Sequence, residues 1–254
     1  MQRMHAEIHG GETDPGSPPL VLIHGAGGSR LHWPPGIRRL PGRRVLAVDL
    51  PGHGDSPGPG AASVDVYAGV VQEWLEANGL ERAVVAGHSM GGAIALRLAL
   101  RAPESLAGLV LVGSGGRLRV APAILEASGR PSTFPQAVDT IIEWAFSETA
   151  DTRLVELARA RMLDVDPAVL HDDFAACDAF DVLDQLARIE LPTLVICGDQ
   201  DRLTPPKYSR ALAERIRAAR LAMIPGAGHM VMLEEPQATA GALTGFLTQL
   251  TTPG

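Results

Sequence analysis

The sequence predicts an α/β fold: a mostly parallel central sheet of about seven strands, flanked by helices and carrying a helical cap. Three observations carry this. Short apolar, strand-length runs alternate with helix-length amphipathic runs along most of the chain. The 254 residues are 46% hydrophobic and 20% charged, enough for one large buried core. The run Gly87-His88-Ser89-Met90-Gly91 stands between an apolar strand (82–86) and a helix-like run (93–100), so the chain turns sharply there.

The elements follow in order. Strands are expected near 4–9 and 19–24; the Gly-, Pro- and Ser-rich segment between them reads as a hairpin loop. A third strand is expected at 44–50. Residues 64–78 form an amphipathic helix with Val64, Tyr67, Val71, Trp74 and Leu75 near one face, and Gly79 stands where a helix stop belongs. The strand before Ser89, its helix and a strand at 106–112 come next. From 114 to 188 the pattern changes to helical stretches broken by Pro122, Gly129-Arg130-Pro131, Pro135 and Pro167. This segment holds Phe134, Phe146, Phe174 and Phe180, four of the five phenylalanines, and Trp144. It reads as a helical cap (114–188) inserted into a core made of 1–113 and 189–254. The alternation then resumes, with a strand at 192–197, a helix at 206–219, a short strand at 221–225 and a closing helix at 236–250.

The chemistry is read from the loops. A G-x-S-x-G turn between strand and helix is the context of a nucleophile elbow, where strain lifts a serine hydroxyl to the carboxyl edge of the sheet. Bulky neighbours would collide there, and Gly87, Gly91 and Gly92 leave the space open. A serine hydroxyl needs a base, and the base an orienting acid. The loop after the last strand, Gly226-Ala227-Gly228-His229, offers His229 as base. The loop after strand 192–197 offers two acids. Asp201 lies farther out and can reach the histidine; Asp199, nearer the strand, suits a turn cap. Two backbone amides are needed for an oxyanion: Met90 supplies one, and Ala26, in the Gly-rich loop after strand 19–24, the other. That loop has neither a P-loop lysine nor dinucleotide-binding spacing, which excludes a phosphate cradle.

With these motifs in place, the chain resembles the α/β-hydrolase superfamily over nearly its full length, and within it small capped serine esterases. The resemblance rests on His24-Gly25, Asp49-Leu50-Pro51-Gly52-His53-Gly54-Asp55-Ser56, the 87–92 elbow, the 198–205 acid loop and the 226–229 histidine loop. It implies a Ser89–Asp201–His229 catalytic triad and a cap near 114–188. Asp49, His53, Asp55 and Ser56 are expected to brace the oxyanion loop, His24 to hold it, and His88 to pack beside the elbow. His171-Asp172-Asp173 reads as a solvated helix face, not a metal cluster.

The expected function is hydrolysis of short- to medium-chain apolar carboxylic esters through an acyl-serine, without cofactor or metal. Phe134, Trp144 and Phe146 are candidate substrate contacts. The same triad would also serve C–C bond hydrolysis, enol-lactone opening or thioester cleavage; a hydrolase-like ligand sensor is the alternative from another class. Serine at the nucleophile position argues against haloalkane dehalogenase and epoxide hydrolase, relatives that use aspartate there. The net charge of −7 and the lack of a basic run exclude a nucleic-acid partner. Two cysteines give no disulfide framework, and no signal-like or membrane-length apolar run is visible, so the expected location is the cytoplasm.

Overall fold

The computed structural model describes residues 4–10 and 17–250. Seven strands form one sheet: β1 (Ala6–His9), β2 (Leu20–Ile23), β3 (Val45–Val48), β4 (Ala83–His88), β5 (Leu106–Val112), β6 (Thr193–Gly198) and β7 (Ala219–Ile224). Their spatial order is β1-β3-β2-β4-β5-β6-β7, with β1 antiparallel to β3 and every other pair parallel. Strands β2, β3, β4 and β6 are buried along their whole length, as expected of a parallel sheet covered on both faces.

The helices are α1 (Pro35–Arg38), α2 (Val64–Ala77), α3 (Met90–Arg101), α4 (Pro122–Ser128), α5 (Phe134–Ala145), α6 (Thr152–Leu163), α7 (Pro167–Ala179), α8 (Pro206–Arg215), α9 (Val231–Glu234) and α10 (Pro236–Gln249). Alternate strand residues feed two cores. Val21, Ile23, Leu46, Val48 and Val85 pack with α2 and α3; Leu20, Leu22, Val45, Ala47 and Val84 pack with α1 and α10. Four of the helices, α4 to α7, lie between β5 and β6. Their starts are set locally: proline at the first turn of α4 and α7, and Asp151 and Asp166 accepting backbone N–H bonds as caps of α6 and α7. Arg117 and Asp181 form an antiparallel bridge at the base of this insertion.

Three expectations need correction. Strands β1 and β2 are not a hairpin: β1 lies beside β3, across which it pairs from Ala6↔Val48 to His9↔Val45. The connecting loop itself falls largely outside the described residues. The helix expected over 206–219 ends at Arg215, because Ile216 turns into the core at 1% exposure. Its departure frees Ala219 to pair with Thr193, so β7 starts two residues early. Third, the helical turn α9 directly after the histidine loop has no counterpart in the expectation.

The strand order reverses between β2 and β4. Such a switch point leaves a crevice at the carboxyl ends of the two strands, where loops can meet a ligand.

Candidate active site

At that crevice β4 turns into α3 through Ser89, whose φ of 53° and ψ of −115° make it the one non-glycine with positive φ among the described residues. Such a conformation costs on the order of 1–3 kcal/mol and needs support. Ser89 N–H donates to Val112 C=O (2.9 Å), and Ser114 Oγ donates to Ser89 C=O (2.8 Å). The turn closes only because a Cβ is missing at Gly87, Gly91 and Gly92. One at Gly87 would lie 2.0 Å from Gly91 O, one at Gly91 would lie 2.5 Å from Ile23 O, and one at Gly92 would lie 2.5 Å from Ser114 Cβ.

The structure brings His229 and Asp201 to the same crevice. Asp201, 3% exposed, accepts N–H bonds from Leu203 (3.0 Å) and Thr204 (2.8 Å) at Oδ1. Its Oδ2 accepts the Thr204 hydroxyl (2.8 Å) and lies 2.9 Å from His229 Nδ1. Thr204 Oγ1 also approaches Nδ1, at 3.2 Å, a contact the sequence reading missed. No hydrogen bond occupies His229 Nε2 among the described residues, which leaves it open to a ligand. Asp199, expected to cap its own turn, reaches across instead: its Oδ1 accepts Gly226 N–H (2.8 Å) and ties the two loops together.

The amides of Ala26 and Met90 donate to no hydrogen bond among the described residues. Met90 opens α3, where N–H groups have no helical partner. Gly25 lies so close to the elbow that a Cβ there would stand 3.0 Å from Ser89 Cβ. The loop is held from behind by His24, which bridges Gly25 C=O (Nδ1, 2.8 Å) and Leu50 N–H (Nε2, 3.0 Å). Asp49, Asp55 and Ser56 form a bonded turn around Arg30, whose guanidinium reaches both carboxylates. The carboxylates of Asp49 and Asp55 lie close to His5, within 4.8 Å, but that space already contains the Arg30 charge.

A cluster of uncharged histidines lies behind the site. Burial holds His24 and His88 well below the ordinary value, and holds His32 at about 4. His88 Nε2 donates to His229 C=O (3.1 Å), and its ring packs 4.6 Å from that of His229.

Two cavities meet at Ser89 and His229. The larger, about 250 Å³, has Ile141, Trp144 and Phe174 among its apolar walls and half-exposed Arg119 and Arg202 beside them. The smaller, about 50 Å³, is lined by Phe146, Ile142, Met162 and His32. Trp144 and Phe146 therefore stand where a substrate contact was expected. Phe134 does not: it is 5% exposed in the apolar core and lines neither cavity. Phe174 and Ile141, which line both, were not expected there. Cys177 also lines the larger cavity, but burial pushes its thiol far above the usual range, so it is no thiolate.

A model of the alpha/beta hydrolase family matches residues 20–242. The chain belongs to this family. As an alpha/beta hydrolase it is similar to a thermophilic esterase of known structure, at 36% identity and a TM-score of 0.82, with 98% of this chain and 99% of that one covered. It is 31% identical to a putative carbamate hydrolase RutD of Variovorax paradoxus over 99% of this chain and 98% of the relative. It is 29% identical to a pimeloyl-[acyl-carrier protein] methyl ester esterase of Neisseria meningitidis over 90% of this chain and 93% of the relative. No described helix is long and apolar enough to cross a membrane.

One expectation about the insertion is overturned. Asp173, read as part of a solvated helix face, is fully buried. His171 beside it is half-buried and bonds Leu125 C=O (3.1 Å).

Proposed function

We propose that this alpha/beta hydrolase is a serine esterase acting on short- to medium-chain apolar carboxylic esters. One observation carries the reading: strained Ser89 shares a cavity with His229, whose Nδ1 lies 2.9 Å from buried Asp201. Ser89 Oγ adds to the ester carbonyl carbon while His229 Nε2 takes its proton. The negative charge that forms on the carbonyl oxygen is met by the amides of Ala26 and Met90. The C–O bond to the alcohol breaks as Nε2 returns the proton to the leaving oxygen. Water then adds to acyl-Ser89, giving its proton to Nε2, and collapse of the second intermediate frees the acid and reprotonates Ser89. Asp201 keeps the proton of the resting imidazole on Nδ1 and stabilises the imidazolium.

The apolar walls, with Trp144 and Phe146 as the expected contacts, favour an uncharged acyl or alkoxy group. The helical insertion acts as the cap. The similarity to a thermophilic esterase supports ester cleavage over the other reactions this triad can perform. The test is turnover of p-nitrophenyl esters from acetate to laurate by wild type and Ser89→Ala. The variant is expected to lose about 10⁶-fold in kcat. A loss under about tenfold would remove Ser89 as nucleophile, and no turnover of any ester by the wild type would overturn the esterase reading.

A further inference from the structure

The buried carboxylate of Asp173 lies on α7, in the insertion, yet its three partners all belong to the core. Oδ2 accepts Gly27 N–H (2.8 Å) and lies 2.8 Å from His53 Nε2; Oδ1 accepts the Tyr67 hydroxyl (2.7 Å). Both Asp173 and His53 side chains are fully buried. The other nitrogen of His53, Nδ1, lies 3.0 Å from Pro51 C=O. A carbonyl can only accept, so Nδ1 carries a proton. Nε2 faces a carboxylate, and the ring with both protons is a cation paired with Asp173. Burial is the largest single influence and opposes that charge, but the bond to Asp173 and its charge, with the Pro51 carbonyl and the Asp49 charge, together outweigh it and raise the His53 pKa.

The same helix touches the same glycine a second time. Gly27 has φ +59°, and a Cβ on it would meet Leu170 Cδ1, also of α7, at 2.5 Å. The backbone between β2 and Arg30 is thus seated on α7 one residue from Ala26, which lines both cavities together with Ser89. A buried ion pair contributes little net stability compared with an apolar replacement, so its use here is geometric.

We infer that Asp173 is a positioning residue: by clamping Gly27 N–H and the His53 ring from the insertion, it fixes the Ala26 amide, so a competent oxyanion loop forms only when α7 is docked. The inference rests on Ala26 as an oxyanion donor, as proposed above.

The test uses the full chain as wild type, Asp173→Asn, His53→Gln and Asp172→Asn. It has three readouts: the rate at which a fluorophosphonate labels Ser89, kcat and KM on a p-nitrophenyl ester, and amide hydrogen exchange over residues 24–28. One oxyanion donor is worth about 10²–10³-fold, so a displaced one in Asp173→Asn is expected to slow labelling and kcat by roughly 10–100-fold, with KM within about threefold. Exchange over 24–28 rises in the same variant. His53→Gln keeps the Asp173–Gly27 bond and loses less, several-fold, which also serves if Asp173→Asn does not fold. Asp172→Asn matches wild type. A folded Asp173→Asn that labels within twofold of wild type with unchanged exchange overturns the inference, as does a variant that is less heat-stable but equally reactive. A wild type that is not labelled at Ser89 refutes the nucleophile instead, and exchange over 24–28 then still decides whether Asp173 holds the loop.

Discussion

Replacing Asp201 by asparagine should block the base more completely than deleting the side chain. Asp201 Oδ1 faces two N–H donors, from Leu203 and Thr204, while Oδ2 faces the Thr204 hydroxyl and His229 Nδ1. An asparagine must choose which side receives its NH2. Turned toward the two amides, it would leave both donors unpaired, the buried one of Thr204 and the half-buried one of Leu203, at up to about 1–3 kcal/mol each. That cost of up to roughly 2–6 kcal/mol directs the NH2 to the other side. There it donates to His229 Nδ1 and forces the ring proton onto Nε2, the atom proposed to receive the Ser89 proton. A triad caught in that tautomer loses about 10⁴-fold in kcat. In Asp201→Ala the outcome differs, because Thr204 Oγ1, already 3.2 Å from Nδ1, can accept its proton and keep the useful tautomer. The assay is kcat on p-nitrophenyl acetate, normalised to folded enzyme by circular dichroism. A loss below about tenfold in Asp201→Asn, or a larger loss in Asp201→Ala than in Asp201→Asn, would refute the reasoning.

Other expectations follow from the same contacts. A Cβ at Gly198 would lie 2.2 Å from Ala227 O and 2.3 Å from Gly228 O, so Gly198→Ala must push the histidine loop away from the acid loop by the better part of an ångström. A displacement near 1 Å costs about 10²-fold, which kcat would read and an unchanged rate would refute. Trp144→Ala opens the larger cavity and should move the preferred p-nitrophenyl ester toward longer acyl chains; an unmoved optimum would take Trp144 out of the substrate's path. Stability should depend on pH through the buried histidines, with opposite signs. His32, held near 4 when folded, binds fewer protons folded than unfolded, so stability falls as pH drops from about 6.5 toward 4. His53, raised when folded, contributes stability that is complete below about 6.5 and is lost as pH rises through its folded value. Melting temperature against pH for wild type, His32→Leu and His53→Gln reads both limbs: His32→Leu should make the acid limb shallower, with His24 and His88 supplying the rest, and His53→Gln should remove the loss at higher pH; an acid limb unchanged in His32→Leu would refute the assignment.

The sheet, and the meeting of Ser89, Asp201 and His229 at one crevice, were legible because their signals are local. The continuous apolar runs of β2 to β6 declare a covered parallel sheet. Ser89 is marked by its own glycines, and Asp201 and His229 by their positions just past strand ends. Asp201, farther out in its loop, meets His229 as its position suggested, whereas Asp199, expected to cap its own turn, instead reaches across to the Gly226 N–H of the histidine loop. The side of β3 on which β1 lies was not legible, since four residues of strand carry no marker of their partner. Nor was Phe134, because an aromatic residue in an amphipathic helix looks the same whether it faces a cavity or the core.

Asp173 shows the limit most sharply. In sequence it follows two polar residues, His171 and Asp172, and that run of three reads as a face turned to water. Its partners are 106, 120 and 146 residues away, at Tyr67, His53 and Gly27. No window around residue 173 contains them. The carboxylate becomes intelligible only once the sheet order is known. Strands β2 and β4 are adjacent and the order reverses between them, so the Ala26 loop and the Ser89 elbow open on one crevice, and the insertion after β5 must cover it. An apolar lid would close such a crevice by burial alone, with no fixed register. A carboxylate that accepts from one particular amide and one particular imidazole sets that register, placing α7 against Gly27 and nowhere else. The polar residue least expected in the buried interface is therefore the one that couples the covering helices to the loop they cover.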